Sequence, residues 1–110
     1  MKIKLTDDFK KNFKKLNKKY KNIKKDFQYF ISELKENPKL GIDLWNWFYK
    51  IRIKNSDNNK WKSWGYRTIT FYNNLDIIIL LTIYSKSEKE NILEKEFLEI
   101  LKNYNKYGSK

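Results

Sequence analysis

The stretch that decides the fold is Ile77–Tyr84, which reads IIILLTIY and carries apolar side chains at nearly every position. Successive side chains of a β-strand point to opposite faces of the sheet, so this strand is predicted to be central and covered on both sides. The run is far shorter than the roughly 20 apolar residues of a membrane-spanning helix. The sequence therefore predicts a buried strand within a folded core.

Two further strands are predicted before this one. Residues 48–54 alternate between an apolar and a basic set, which places the sets on opposite faces: Tyr49, Ile51 and Ile53 on one, and Lys50, Arg52 and Lys54 on the other. Residues 66–72 follow a polar loop and precede the turn at Asn73 and Asn74. Three strands in succession predict an antiparallel meander, to which residues 2–5 can add an edge strand.

A helical hairpin is predicted before the meander. Between Phe9 and Leu34, apolar residues recur at spacings of three and four, as in a helix buried on one face. Thr6 or Asp7 can cap the start, and a break that ends at Asn22 divides the segment into two helices, with Asn22 as a possible second cap. The second helix is predicted to end before Pro38, because a proline disfavours helical backbone in the residue that precedes it.

A third helix is predicted after the meander. Ser87 and Glu90 have the spacing of a capping box, and an amphipathic pattern continues from there to Tyr104. The predicted fold is therefore α+β, in the order (β)ααβββα, with an antiparallel sheet packed against an N-terminal helical hairpin and a C-terminal helix. Residues 1–104 are predicted to form a single domain, and residues 105–110 a frayed tail.

The composition excludes several kinds of site. The 110 residues include no cysteine and no histidine, which excludes disulfides, thiolate zinc sites and histidine-based catalytic triads. The net charge is +12, but all but two of the basic residues are lysine, and alanine and valine are absent. Biased coding accounts for part of that lysine content, so the charge alone is only a hint of a polyanionic partner. No signal peptide is evident, and a cytoplasmic protein is expected.

The basic residues are concentrated in two regions. Residues 1–25 carry many lysines between apolar helix positions, which favours a solvated helix face over a nucleic-acid-binding helix. Residues 39–67 contain both arginines, Arg52 and Arg67. Because all the other basic residues are lysines, an arginine here indicates a position where its guanidinium contacts a phosphate through two hydrogen bonds. The alternative is that the guanidinium stacks on a tryptophan or pairs with a carboxylate.

The four tryptophans lie in the same region as the arginines. Trp61 and Trp64 alternate with Lys60 and Lys62, a composition typical of surfaces that stack RNA bases, although burial at the sheet edge or under a protein partner is an equal alternative. The other two are expected in the core or in a protein interface: Trp45 and Trp47.

Four blocks of this sequence resemble the RelE/ParE superfamily of toxins from type II toxin–antitoxin systems, and are most similar to its HigB-like branch. The blocks are NPKLG at 37–41, YKIR at 49–52, KSWGYR at 62–67 and LLTIYSKSE at 80–88. They occur in the family's order over nearly the whole chain. The sequence departs from the family pattern at Trp64, where glycine is usual, and likewise at Trp61.

The resemblance implies a ribosome-dependent mRNA endonuclease that a small antitoxin holds inactive. In such toxins, basic residues of the sheet and of the loop before the second meander strand hold the RNA. This points to the catalytic candidates Lys62, Arg67, Tyr84 and Lys86, and to the RNA-binding candidates Lys50, Arg52, Lys54, Lys60, Trp61 and Trp64. The expected partners are a cognate antitoxin and mRNA on the ribosome, with no cofactor, metal or membrane.

The mechanism expected for this composition is attack of the RNA's own 2′-OH on the adjacent phosphate. Without histidine, the base is expected to be a lysine whose pKa is lowered by other cations, either Lys62 or Lys86. Arg67 would stabilise the phosphoryl charge, and Tyr84 would stack a base or assist the leaving oxygen. Two alternatives remain open for single residues: a structural role for Tyr84 and a solvated Lys86. Two remain open for the whole protein: a gyrase-directed toxin and a non-catalytic RNA- or ribosome-binding module.

Overall fold

A computed structural model describes residues 1–57, 65–89 and 91–105 of the chain. Within these ranges the elements are β1 (Lys2–Leu5), α1 (Asp7–Lys19), α2 (Ile23–Glu36), β2 (Ile42–Asp43), β3 (Phe48–Ile53), β4 (Tyr66–Phe71), β5 (Ile77–Ser85) and α3 (Glu94–Asn103). The strands form one sheet in the order β1-β5-β4-β3-β2. The fold is α+β, as predicted. No helix among the described residues is long and apolar enough to cross a membrane.

The central position predicted for β5 is confirmed. It lies between β1 and β4, and its side chains are buried on both faces of the sheet. Ile78, Leu80 and Ile83 pack in the cluster under the helical hairpin, whereas Ile79 and Leu81 pack with Phe97 of α3. The apolar run is therefore explained by helices that cover both faces.

The sheet is mixed, where an antiparallel one was predicted. The meander β3-β4-β5 is antiparallel, but β1 pairs with β5 in parallel, from Lys2 opposite Ile77 to Leu5 opposite Leu80. This pairing satisfies backbone groups along the edge of β5 that the meander leaves open. The two-residue strand β2, which the sequence pattern did not reveal, pairs with β3 at the other edge.

The helical hairpin is confirmed, with one difference at its second cap. The Thr6 hydroxyl accepts a hydrogen bond from the Phe9 amide at 3.0 Å and donates to the Leu81 carbonyl oxygen at 2.6 Å, so it caps α1 and joins it to β5. Asn22 stands at the start of α2, but its side chain makes no capping bond there. Its Nδ2 donates to Asp57 Oδ1 at 2.8 Å instead.

The predicted start of the C-terminal helix is wrong. α3 begins at Glu94, where the Glu96 carboxylate accepts a hydrogen bond from the Leu93 amide at 3.2 Å. The Ser87 hydroxyl is instead within 2.8 Å of the Ser85 hydroxyl, and Glu90 lies outside the described residues. The chain after β5 first forms a turn, in which the amides of Glu88 and Lys89 donate to the Ser85 carbonyl oxygen, and the helix begins after it.

Candidate nucleic-acid interface

Three candidate residues form a row across neighbouring strands. Arg52 of β3 lies opposite Arg67 of β4, and Arg67 lies opposite Tyr84 of β5. Directly opposite residues of an antiparallel pair have Cβ atoms about 5 Å apart on the same face. The row lies on the face that α3 packs against, because the neighbouring positions Ile51, Ile53 and Tyr66 pack under the helical hairpin. We call Arg52, Arg67 and Tyr84 the cationic row.

Arg67 carries a buried charge without a counter-charge among the described residues. The residue is 2% exposed, its Nη1 donates to the Tyr66 carbonyl oxygen at 3.2 Å, and its Nη2 is buried without a partner. Within residues 1–57, 65–89 and 91–105, neither Arg67 nor Arg52 forms an ion pair. Burial, and then repulsion from Arg52, lower the pKa of Arg67. A guanidinium remains cationic at neutral pH, so this position favours an anion.

Tyr84 presents a buried hydroxyl beside that guanidinium. No group among the described residues forms a hydrogen bond of full geometry with this hydroxyl, although the Ile92 backbone N–H lies near it. Burial raises the pKa of Tyr84, and the charge of Arg67 and the Ile92 N–H oppose that effect in part. The hydroxyl therefore stays protonated at neutral pH and can donate a hydrogen bond.

Two candidate lysines directly follow strands at the same end of the sheet. Lys86 directly follows β5, and its amide donates to the Gly65 carbonyl oxygen at 3.2 Å. A Cβ on Gly65 would lie 2.5 Å from the Ile53 carbonyl oxygen, so only glycine permits this close approach of the strands. Lys54 is exposed and directly follows β3. The strand ends thus bring Lys54 and Lys86 next to the cationic row.

Two described residues of the connection between β5 and α3 contact the face that carries the row. Lys50 of β3 donates from its Nζ to Asn91 Oδ1 at 3.0 Å. The long side chain of Lys50 thus links β3 to the connection that follows β5. The connection also places Ile92 against the cluster of Phe48 and Phe97. Within the row, Arg67 and Tyr84 are buried, whereas Arg52 is exposed.

A comparison with protein families agrees with this architecture. A family model described as the RelE toxin of the RelE / RelB toxin–antitoxin system matches residues 2–109. The chain belongs to the RelE toxin family. It is therefore the toxin of a toxin–antitoxin system, and its expected partner is a cognate antitoxin. A search of curated proteins finds no individual match to the RelE-family chain. Its place in the HigB-like branch stays a prediction.

Four candidates of this RelE-family toxin lie outside the described residues: Lys60, Trp61, Lys62 and Trp64. Their roles stay predictions. The described residues just before them are tied to α2: Asp57 accepts from the Asn22 amide at 2.7 Å, and Ser56 donates from its amide to Asp26 at 2.9 Å.

The other two tryptophans of the toxin are not in its core, contrary to one of the two predicted placements. Trp45 is 81% exposed and Trp47 is 48% exposed. Trp45, Asn46 and Trp47 all have positive φ angles, while Phe48 is buried next to them. The left-handed backbone turns the two rings outward, at the end of β3 away from Arg52. The alternative placement, a protein interface, stays a prediction.

The structure adds a chain of hydroxyls that the sequence reasoning missed. Tyr20 Oη lies 3.5 Å from Ser87 Oγ, which lies 2.8 Å from Ser85 Oγ. Burial alone would raise the pKa of Tyr20, but the hydroxyls of Ser87 and Ser85 and the charge of Lys19 outweigh it and lower that pKa. In the sequence, only the two serines that flank Lys86 could have indicated this chain of hydroxyls. Among the described residues of the toxin, no group of three acidic side chains could hold a metal ion.

Proposed function

We propose that this RelE-family toxin is a ribosome-dependent mRNA endonuclease that inhibits translation. The buried guanidinium of Arg67 carries the proposal, because it has no counter-anion among the described residues and lies opposite Arg52. An RNA phosphate supplies the missing charge and the missing hydrogen-bond acceptor at once. Family membership supports the coarser statement, that the chain is a toxin.

The proposed chemistry needs only the RNA and groups of this chain. The 2′-oxygen attacks the adjacent phosphorus, the bond from phosphorus to the 5′-oxygen breaks, and the products are a 2′,3′-cyclic phosphate and a 5′-hydroxyl. A base takes the 2′-OH proton, and an acid returns a proton to the leaving oxygen. In a chain without histidine or cysteine, lysine, arginine and tyrosine supply these groups.

Each role is assigned to a candidate near the cationic row. Arg67 stabilises the charge that grows on the phosphoryl oxygens, a contribution that is typically worth about 3 kcal/mol when the donor is preorganised. Tyr84 donates to the leaving oxygen, and Lys62 or Lys86 acts as the base. The remaining candidates bind the RNA: Lys50, Arg52, Lys54 and Lys60 contact phosphates, while Trp61 and Trp64 stack bases.

In this proposal RNA contacts the exposed Arg52 first, and its phosphate reaches the buried Arg67 only after neighbouring groups move. Arg67 is 2% exposed, and the nearby Lys50 donates a hydrogen bond to Asn91. A phosphate competes with Asn91 for the Lys50 ammonium, because a charged acceptor forms the stronger hydrogen bond. Binding of mRNA is thus coupled to loss of the hydrogen bond between Lys50 and Asn91 in this proposal.

Mapping of mRNA ends on translating ribosomes tests the function. The proposal expects cuts with new 5′-hydroxyl ends that require both the toxin and the ribosome. A supercoiling assay with gyrase and a ribosome-binding assay run in parallel. Inhibited supercoiling with intact mRNA would instead indicate a gyrase-directed toxin, and ribosome binding with intact mRNA would indicate a non-catalytic module. Either result contradicts the proposal.

A further inference from the structure

The loop between β2 and β3 holds two indole rings outward on a strained backbone. Trp45, Asn46 and Trp47 have φ angles of 75°, 54° and 74°, in the left-handed region that disfavours residues with a Cβ. The rings gain little burial in return, because Trp45 is 81% exposed and Trp47 is 48% exposed. Backbone strain of this kind persists where the surrounding structure enforces it, and it concentrates at sites that bind ligands.

Hydrogen bonds fix the backbone of this loop at three points. The Trp45 amide donates to Asp43 Oδ1 at 2.7 Å, and the Trp45 carbonyl oxygen accepts from the Phe48 amide at 3.1 Å. The Trp47 carbonyl oxygen accepts from the Tyr72 amide at 2.9 Å. The tryptophan atoms in these bonds belong to the backbone, so glycine would form the same bonds without the strain. The folded backbone therefore does not account for the two indole rings.

The two rings line a cleft at this edge of the sheet. The cleft has a volume of about 390 Å³, within the range of about 300–1,000 Å³ that is usual for ligand sites. Its other described lining residues are Lys39, Asp43, Asn46 and Tyr49. Three of the described lining residues are aromatic, and none is an aliphatic hydrophobic residue. We call this cavity the tryptophan cleft.

We propose that the tryptophan cleft stacks an unpaired base of single-stranded RNA. Aromatic side chains stack on the flat face of any base, and proteins commonly hold single strands in this way. Lys39 is exposed and forms no ion pair within the described residues, so it can contact a flanking phosphate. The choice of RNA rests on the proposed function, in which the toxin contacts mRNA, but stacking in the cleft does not require cleavage.

The polar side chains of the cleft suit the edge of a base. The Asp43 carboxylate accepts hydrogen bonds and repels phosphates, so the N–H donors of a base are favoured beside it over the backbone of the strand. Asn46 is exposed in the same lining and offers both a donor and an acceptor. The cleft thus provides rings and polar groups for the base, and Lys39 for the phosphate.

The lining favours RNA over a protein partner. The core of a protein interface is depleted of charged residues, whereas Lys39 and Asp43 stand beside the two rings in the cleft. The net charge of +12 adds attraction for a polyanion. A protein interface, which the sequence predicts as one placement for these tryptophans, is therefore made an outcome of the test.

The cleft lies apart from the cationic row but within reach of the same strand of RNA. The loop directly precedes β3, which begins at Phe48 and carries Arg52. A strand rises about 3.3 Å per residue, so these two positions are about 13 Å apart. A short stretch of RNA can span that distance. Changes in the cleft are expected to weaken RNA binding and to leave the chemistry at the row unchanged.

Three double variants of the full chain test the stacking site. The first is Trp45→Ala with Trp47→Ala, and the second is Trp45→Phe with Trp47→Phe, which keeps flat rings. The control is Tyr29→Ala with Leu75→Ala, at exposed apolar positions outside the cleft. Fluorescence anisotropy measures binding of an RNA of about 12 nucleotides whose 2′-O-methyl groups prevent attack by the 2′-oxygen. The same strand in a duplex, vacant ribosomes, and the antitoxin that co-purifies with the toxin are measured in parallel.

We expect the alanine pair to bind the single strand about 10-fold more weakly, the phenylalanine pair within about threefold of the wild type, and the control within about twofold. All should keep wild-type circular dichroism and bind the duplex equally, because paired bases cannot enter the cleft. A loss limited to the oligonucleotide identifies mRNA as the source of the base, and an added loss with vacant ribosomes includes ribosomal RNA.

Four results would overturn the stacking site. They are unchanged binding of the single strand by the alanine pair, an equal loss in the control, an equal loss with the duplex, and weaker antitoxin binding with unchanged RNA binding, which would assign the rings to a protein interface. If the wild type cuts no mRNA but the alanine pair loses affinity for the single strand alone, the nuclease proposal fails and the stacking site stands.

Discussion

Arg67 places a full positive charge where water is excluded and no carboxylate pairs with it in the described part of the chain. Burial of an unpaired ion costs several kcal/mol in folding stability, even after the surroundings relax. Its strand neighbour Arg52 adds repulsion. The same features make the position receptive to a phosphate. At this residue, stability of the free toxin and affinity for RNA are therefore expected to oppose each other.

Substitution of Arg67 by methionine tests that opposition. Methionine keeps the apolar stem and removes the charge, so the free energy of unfolding in urea should rise by about 1 kcal/mol. A fall of more than about 2 kcal/mol would show that the charge has a stabilising partner in the free toxin.

A comparison of two buried tyrosines distinguishes a catalytic role of the hydroxyl from a packing role of the ring. Both Tyr84 and Tyr66 have hydroxyls that form no hydrogen bond of full geometry among the described residues, but only Tyr84 belongs to the cationic row. Tyr84→Phe should lower mRNA cleavage by about 100-fold with little change in stability, because it removes the proton donor and keeps the buried ring. The matched variant Tyr66→Phe should cut at the wild-type rate. Equal rates for the two variants would remove Tyr84 from the mechanism.

At the scale of elements, the start of α1 is the junction between the helical hairpin and the sheet. Thr6 accepts from the Phe9 amide and donates to the Leu81 carbonyl oxygen. Thr6→Ala should lower the free energy of unfolding by about 2 kcal/mol, because it removes a cap and leaves a buried carbonyl with one bond fewer. Ser32→Ala, at an exposed hydroxyl within α2, is the control and should change it by less than about 0.5 kcal/mol. If Thr6→Ala lowered the free energy of unfolding by no more than the Ser32→Ala control does, Thr6 would not join the hairpin to the sheet in the way described.

The loop between β2 and β3 stores backbone strain. Trp45 has a φ of 75° and is 81% exposed. A left-handed residue with a Cβ costs about 1–2 kcal/mol relative to glycine, so Trp45→Gly should raise the melting temperature. Trp45→Ala keeps the Cβ and should not. If both variants lower the melting temperature, the contacts of the Trp45 ring stabilise the fold by more than its left-handed backbone destabilises it.

The parts of the fold that follow from local patterns could be predicted. Alternation at 48–54, the apolar run of β5 and the helical spacing of the hairpin each record which faces are buried. The start of α3 could not be predicted, because Ser87 and Glu90 have the spacing of a capping box, whereas the backbone from Ser85 to Lys89 forms a turn. The parallel pairing of β1 depends on a contact with β5, which is distant in the sequence. The outward direction of the Trp45 side chain depends on a left-handed backbone angle, which the residue type does not indicate.

The site could be predicted only as separate residues. Arg52, Arg67 and Tyr84 were each candidates, but their row depends on the register of β4 with both neighbours. The contact of Lys50 with Asn91 joins positions 41 residues apart, and no spacing in the sequence reveals it. Residue types thus indicated the chemistry, and tertiary structure determined the arrangement.

At the scale of the whole molecule, the two faces of the sheet have different surroundings. The helical hairpin covers one face with an apolar cluster that includes Phe9, Ile51 and Tyr66. The cationic row lies on the other face, where the buried Arg67 has no ion pair in the described part of the chain and an RNA phosphate completes the site in the proposed function.

The most direct test of this account is the single-turnover rate of mRNA cleavage on the ribosome by the wild type and by Arg67→Ala. If the buried guanidinium stabilises the phosphoryl charge, the variant should keep its fold and its ribosome affinity, and its cleavage rate should fall by about 100- to 1,000-fold. A folded, ribosome-bound Arg67→Ala variant that cuts at the wild-type rate would contradict the account.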